Sequence, residues 1–299
     1  MTAPRDLDAS TRPVLAFDIG GTKIAAALII DGAIEERRQV ATPISGQPED
    51  WLAAMVCLAR DWQGRFEAVG AAVTGIVQDG QWRALNPTIL PVPAGYPLAE
   101  RLQATFGRPV RLVNDAQAAA WAEFDARSGI RSLLFVTVST GIGGGLVSDG
   151  KLVEGAHGAA GSMGHVLVKP IGGRRCGCGA VGCIETEASG AALKARAAET
   201  LGVEMEVPEL FERAKTDPEA AAIIDDALNL LGQALLSARR LCDPGLIVIG
   251  GGIGLRADVL AELQSICGRL APDFPVPIEA ARQGADAGLV GAALLAAGR

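Results

Sequence analysis

Twice in this chain a short apolar strand runs into a glycine turn and straight out again into a second apolar strand. The first instance is VLAFDIGGTKIAAALII from Val14 to Ile30; the second starts with LLFVTV from Leu133 to Val138, passes through STGIGGG and continues at Leu146 and Val147. Short apolar runs bounded by glycine read as buried strands, and two of them joined by a glycine turn read as a hairpin. After the first hairpin come short strand candidates at Val69–Val73 and Arg111–Val113 and helical spacing at Glu49–Trp62 and Leu98–Phe106. A run of helix formers follows Asn114 as far as Gly129, so Asp115 stands where a strand gives way to a helix. After the second hairpin come a long helical stretch, Pro218–Leu241, a strand at Leu246–Ile249 with GGGIG behind it, and helices at Arg256–Leu270 and Ala285–Ala297. A repeated hairpin with α/β segments after each copy predicts an internally duplicated fold with two lobes around a cleft.

Composition narrows the function classes. The chain has 299 residues, enough for about two domains. With 27 Lys and Arg against 34 Asp and Glu, its net charge of −7 offers no global attraction to polyphosphate, so no nucleic-acid partner is expected. Met1 to Arg12 is polar, and no apolar run approaches the roughly 18 residues of a spanning helix, which predicts a cytoplasmic protein without a membrane role. Six cysteines are too sparse for a disulfide scaffold, but three of them fall within eight residues, and such a cluster points to metal.

Asp18, Gly20, Gly21, Thr22 and Lys23 place a carboxylate at a strand end and two glycines at a turn. Backbone N–H groups bared by the glycines can cradle phosphate oxygens, Thr22 adds a hydroxyl and Asp18 can order a hydrated Mg²⁺; a plain hairpin turn is the competing reading. The Thr140–Gly145 run repeats the pattern, and Gly250-Gly251-Gly252 follows a third strand. Four glycines in six residues cost conformational entropy, which favours close backbone approach to a ligand over chance, with tight strand connections as the alternative. Asp115 could accept a proton from a substrate hydroxyl attacking phosphorus, with Asn114 holding a neighbouring hydroxyl; equally, Asp before a helical run is a favoured N-cap.

His165, Cys176, Cys178 and Cys183 are the sharpest signal. Three thiolates and an imidazole suit tetrahedral Zn²⁺, and a Cys₃His set with no position left for water is structural; free thiols or a redox pair are the alternatives. Cys57, Cys242 and Cys267 sit in apolar helical contexts and read as buried core.

Taken together these motifs resemble the ROK family of sugar kinases from about residue 14 to the C-terminus: DIGGTK at Asp18, NDAQAAAWAEF at Asn114, STGIGGG at Ser139, GHVLV…CGCGAVGCIE from Gly164 to Glu185, and GGG at Gly250. More narrowly, ALNP at Ala84, NDAQAAAWAEF, VTVSTGIGGG and DAGLVGAALLA resemble the bacterial N-acetylmannosamine kinases within it. The resemblance implies an α/β fold of the actin-like ATPase (ribonuclease H-like) type, with ATP and sugar in a cleft between an N-terminal lobe, 1–114 plus a returning helix at 285–299, and a C-terminal lobe, 115–284, holding a zinc loop at 164–185. It implies Asp18, Gly20, Gly21, Thr22 and Lys23 on Mg²⁺ and phosphate, Thr140, Gly141 and Gly143 on the second phosphate side, and Gly251 and Gly252 at the adenosine. It makes Asp115 the general base for the sugar 6-hydroxyl, gives Gly75, Asn86, Asn114, Asp115, His165 and Glu185 to the sugar, and assigns His165, Cys176, Cys178 and Cys183 to structural Zn²⁺. A homodimer acting on sugar and ATP is expected. Ser162 stands where most of the family carries a sugar-binding Glu. Glucokinase or another hexose kinase is the competing activity; a sugar-responsive repressor would need a DNA-reading helix-turn-helix, and only 17 residues precede Asp18. A non-catalytic sugar sensor is the other alternative, although Asp115 and all three glycine turns are present.

Overall fold

The computed structural model describes residues 13–43, 46–85 and 90–299. It contains two compact units, one taking the described chain up to Arg127 with Glu154–Ala160 and Ala285–Arg299, the other Ser128–Val153 and Gly161–Gly284. The first unit thus runs to Arg127, beyond the expected boundary at residue 114, because the helix after Asn114 buries Ala118, Ala120 and Ala122 inside that unit.

In the first unit, β1 (Val14–Ile19), β2 (Lys23–Ile30) and β3 (Ala33–Ala41) are followed by α1 (Pro48–Ala59), β4 (Ala68–Val73), a small hairpin of β5 (Ile76–Gln78) and β6 (Gln81–Arg83), α2 (Leu98–Phe106), β7 (Val110–Asn114) and α3 (Asp115–Asp125). The sheet order is β3-β2-β1-β4-β7, antiparallel across the hairpin and parallel from β1 through β4 to β7. Hydropathy alone does not mark β3, since AIEERRQVA is an edge strand whose charges stay in water.

The second unit repeats the plan with β8 (Leu133–Val138), β9 (Ile142–Ser148), β10 (Lys151–Val153), α4 (Ile184–Ala188), α5 (Gly190–Leu201), α6 (Val207–Arg213), α7 (Pro218–Cys242), β11 (Leu246–Gly250), α8 (Gly251–Gly254), α9 (Ala257–Leu270) and β12 (Ile278–Ala280). Its order, β10-β9-β8-β11-β12, has a counterpart for every strand of the first sheet, with the same sense of pairing at each step. The duplicated α/β fold expected from the two hairpins is present. One detail differs: Gly143, Gly144 and Gly145 are strand residues, paired with Thr137, Val136 and Phe135, so the second turn is only Ser139 to Gly141. Their missing side chains admit another stretch of chain. A β-carbon on Gly144 would lie 2.5 Å from the Gly161 carbonyl oxygen, so backbone packing rather than ligand approach accounts for that glycine.

The side-chain period of two decides what each sheet face carries. Along β1, Leu15, Phe17 and Ile19 face the cluster with Trp51, Met55, Leu102 and Phe106 of α1 and α2. Val14 and Ala16 face the other way, into a cluster with Ala122 of α3 and Leu289 and Ala293 of α10 (Ala287–Ala296), which belongs to the first unit. That second face packs backbone to backbone. A β-carbon on Gly291 would fall 1.8 Å from the Ala118 carbonyl oxygen, and one on Gly70 would fall 2.3 Å from that of Ala292. Gly291→Ala should therefore lower the melting temperature, at a cost of about 1–3 kcal/mol from overpacking, although alanine is the better helix former. Gly268→Ala, on α9 with nothing within 4 Å of its added carbon, serves as the control and should be neutral or stabilising in the same calorimetric scan.

Although Asp225, Asp226, Asn229 and Gln233 interrupt its apolar residues, α7 is long and apolar enough by length and composition to cross a membrane. Its apolar side, including Ile223, Leu228, Leu231 and Leu235, is committed to the core of the second unit. Cys57 and Cys242 are exposed, against the core positions expected for them, while Cys267 is buried.

Candidate active site and metal centre

Because Asp18 alternates with Phe17 and Ile19, it shares the β1 face that α3 and α10 cover, and this brings together two carboxylates nearly a hundred residues apart. Asp115 is the first residue of α3. The first turn of α10 passes close enough that a β-carbon on Gly288 would lie 3.3 Å from Asp18 Oδ2. Asp115 as a whole residue keeps partial solvent access, yet burial of its carboxyl pushes that group up to about 7, with the neighbouring Asp18 charge adding to the rise. Asp18 is itself raised to about 6 by burial, against the opposing pull of Lys23. Two neighbouring acids both raised toward neutrality could exchange a proton near pH 7 and could hold a cation.

Asn114 caps α3. Its side-chain oxygen accepts the N–H groups of Ala116 and Gln117, both at 3.0 Å, and its amide donates to the Gly75 carbonyl at 2.8 Å. The capping role open to Asp115 is thus filled by its neighbour, while the Asp115 carboxylate accepts the N–H of Ala116 at 2.8 Å. Gly75 adopts φ +105°, and a β-carbon there would stand 2.5 Å from the Arg83 carbonyl oxygen, so only glycine turns the chain here toward Asn114. Asn86 lies outside the described residues.

The first glycine turn is braced from beneath. Gly20 N–H donates to Lys23 O at 3.0 Å, and Thr42 donates its hydroxyl to Gly20 O at 2.7 Å and its N–H to Thr22 O at 3.1 Å. Gly21 and Thr22 are left exposed at the tip. Arg37, whose charge also opposes the rise of Asp18, pairs with Asp286 at 2.8 Å at the start of α10. Neither Arg37 nor Asp286 stood out from the sequence; a lone Arg on an edge strand and an Asp before a small-residue helix carry no local signal.

In the second unit, the end of β11 comes against the end of β8. A β-carbon on Gly251, at φ +83°, would meet the Val138 carbonyl oxygen at 2.4 Å and Thr137 Oγ1 at 2.7 Å, while Gly252 faces open space. The second and third glycine turns are therefore neighbours, with Thr140 and Gly252 both exposed. Glu185 reaches the same place, its Oε2 accepting the Ile142 N–H at 3.2 Å.

His165, Cys176, Cys178 and Cys183 converge with their ligand atoms all within 4.8 Å of one another. His165 Nδ1 stands 3.6 Å from Cys176 Sγ, and Cys178 Sγ stands 3.6 Å from Cys183 Sγ. Tetrahedral Zn²⁺ with bonds of about 2.3 Å to sulfur and 2.0 Å to nitrogen has ligand–ligand edges of about this length. The donor set and its spacing fit the ion. Burial drives the Cys176 and Cys183 thiols upward, so thiolates at these positions call for a cation. The loop is shaped by Gly179 N–H donating to Cys176 O at 3.0 Å and Cys176 N–H to Ala180 O at 2.8 Å. Outside the cluster, Arg174 fastens the loop to α5 through a two-pronged pair with Glu199, and its N–H donates to the buried carboxylate of Glu187 at 2.8 Å.

The sequence profile of the ROK family matches residues 14–299. A protein of Brucella melitensis named bifunctional enzyme NanE/NanK is 44% identical over 289 residues, 95% of this chain and 54% of the relative, so the chain spans about half the length of that curated relative. The N-acetylmannosamine kinase of Shigella flexneri is 42% identical over 289 residues, covering 95% of this chain and 98% of the relative. The crystal structure of a ROK hexokinase from Thermus thermophilus superposes with a TM-score of 0.84 at 37% identity, covering 95% of this chain and 97% of that one.

Proposed function

The chain belongs to the ROK family, and from that premise we propose that it is an ATP-dependent kinase that phosphorylates N-acetylmannosamine at the 6-hydroxyl. The observation that carries the reading is the 42% identity to a protein named N-acetylmannosamine kinase across nearly the whole of both chains. The site chemistry supports it. Phosphoryl transfer asks mainly for positioning and charge stabilisation, with one group to take the hydroxyl proton. Asp115, held near pH 7 by burial and fixed at the start of α3 by the Asn114 cap, is suited to accept that proton. Asp18, Lys23 and the exposed tip at Gly21 and Thr22, with Gly20 behind them, would hold phosphate and Mg²⁺. Magnesium, when bound, neutralises charge on the phosphoryl oxygens. Thr140, Gly141 and Gly143 with Gly251 and Gly252 would take the rest of the nucleotide, and Gly75, Asn86, Asn114, His165 and Glu185 the sugar. Zinc at His165, Cys176, Cys178 and Cys183 would be structural, because all four of its positions are filled by protein. Nδ1 of His165 is the nitrogen nearest Cys176, which leaves Nε2 for a sugar hydroxyl. The reading includes a cytoplasmic homodimer, the latter to be checked by light scattering.

Similarity to the ROK hexokinase favours a second reading, a hexose kinase, since fold and catalytic parts would be shared. Selectivity separates the two. Ser162 is short and neutral where a family Glu would accept hydrogen bonds from hydroxyls, so a plain hexose loses a charge-assisted bond that a sugar anchored by an acetamido group needs less. kcat/KM for N-acetylmannosamine should exceed that for glucose by at least about tenfold, or about 1.4 kcal/mol. Ser162→Glu should narrow the gap by improving glucose. A coupled assay over N-acetylmannosamine, glucose, mannose, fructose and N-acetylglucosamine checks this; preference for glucose by the unmodified protein would establish the hexose-kinase reading instead.

A further inference from the structure

We propose that the metal loop and the second glycine turn form one mechanical unit, with Glu185 as the positioning residue between them, so that zinc binding and nucleotide binding assist each other. The inference rests on the kinase reading for the ligand of that turn, but its argument is geometric and lies wholly within the second unit.

Between zinc ligands and turn there is no slack. Cys183 is the N-cap residue of α4, and Glu185 is the second residue of that helix. From there its carboxylate accepts the Ile142 N–H at 3.2 Å, and a β-carbon on Gly141 would lie 2.9 Å from the same oxygen. Directly after Ser189 the chain enters α5, whose Gly190 and Ala191 N–H groups donate to the carbonyls of Ser139 at 2.8 Å and Thr140 at 3.1 Å. On the other side, Gly164 precedes the ligand His165, and a β-carbon there would come within 2.0 Å of the Ile142 carbonyl oxygen. The Ile142 N–H and the carbonyls of Ser139 and Thr140 are therefore held by hydrogen bonds from segments that enter or leave the metal cluster, and the Ile142 carbonyl packs against Gly164.

Such a turn has little freedom while the cluster is closed and regains it when the ligands part. A nucleotide whose phosphates need the turn in one conformation then binds more weakly to the metal-free loop. Linkage requires the converse: bound nucleotide must retard opening of the cluster and raise zinc affinity by the same factor. Nothing in the loop needs to touch the nucleotide for this to hold.

The test follows zinc rather than turnover. Zinc-loaded protein is mixed with a chromogenic chelator, without sugar, with and without a saturating non-hydrolysable ATP analogue and Mg²⁺, after the analogue's Kd has been measured by calorimetry. Saturating analogue should slow zinc transfer about tenfold, and its Kd on zinc-stripped protein should weaken by a similar factor, within the usual range of site–site coupling. Glu185→Ala should keep zinc and bind the analogue but show less than about twofold protection, whereas Glu185→Gln, which retains an acceptor for the Ile142 N–H, should keep most of it. Gly141→Ala, which alters no metal ligand, should lose protection as Glu185→Ala does at analogue concentrations shown by calorimetry to saturate the variant. Unchanged zinc release in native protein that demonstrably binds the analogue overturns the coupling and leaves the kinase reading intact, as does undiminished protection in both Glu185→Ala and Gly141→Ala. Failure of the native protein to bind the analogue at all overturns the kinase reading and the coupling with it.

Discussion

Asp115→Asn is expected to lose turnover by about 10² to 10⁴, the usual range for removing a general base, while remaining folded and still binding nucleotide. The helix start does not depend on Asp115, because Asn114 supplies the cap, so loss of activity cannot be traced to loss of α3. Stability should move the opposite way. The native carboxyls of Asp115, about 7, and Asp18, about 6, lie above the ordinary carboxylate value near 4. Below about pH 4 both folded and unfolded chains carry these groups protonated, and the native state has its full stability. As pH rises toward 7 the unfolded chain ionises first, so stability drains away across that window and levels off above it. A tenfold change in an acid's dissociation constant between the two states corresponds to about 1.4 kcal/mol, and asparagine removes the part belonging to Asp115. The variant should therefore melt higher than the parent at pH 8 and nearly equal to it at pH 4. In the parent, kcat/KM should fall on the acid side with an apparent pKa near 7, set chiefly by burial of the Asp115 carboxyl with the Asp18 charge adding to it. Parental turnover in Asp115→Asn would return Asp115 to a purely structural role.

The second large effect is expected from the metal cluster. Metal-replete protein should carry one Zn²⁺ per chain by elemental analysis, and Cys178→Ser should lose it. Cysteine-rich zinc sites contribute on the order of 10 kcal/mol of binding energy, and although Val166, Val168 and Ile184 pack on the core of the second unit, the segment between the ligands leaves Leu167, Ile171 and Val181 exposed. Without the ion, the segments bearing His165 and Glu185 lose their clamp, and the sugar KM should rise at least about tenfold. The two units have separate cores, so the first should keep its melting transition in the same scan. Stoichiometric zinc in a Cys176/Cys178 double substitution would refute the ligand assignment.

Legibility in the sequence followed the range of the interactions. The cluster of Cys176, Cys178 and Cys183 could be read because three ligands lie within eight residues and glycines shape the chain between them. The hairpins could be read because β1–β2 and β8–β9 pair across turns of a few residues. Gly144 and Gly145 misled, since a strand that must admit the Gly161 segment has the same composition as a ligand-binding turn. Asp115 was ambiguous for a similar reason: base and cap are both Asp at a strand–helix junction, and the distinction rests on one hydrogen-bond set around Asn114.

What the sequence determined by itself was the local chemistry: two strand–turn–strand units, a Cys₃His donor set and carboxylates at two strand ends. The tertiary structure decided which of these groups meet. Asp18 reaches Asp115 because β1 alternates and turns it toward the face that α3 and α10 share; Gly288 stands beside it because α10 returns from the far end of the chain. Glu185 meets Ile142 because the metal loop packs on β9. Connectivity over a few residues fixes the first kind of contact, since the chain can hardly avoid it. Contacts between residues forty to two hundred and seventy apart in sequence exist only when the packing of whole sheets and helices outweighs the entropy of bringing them together, and no local pattern records that balance.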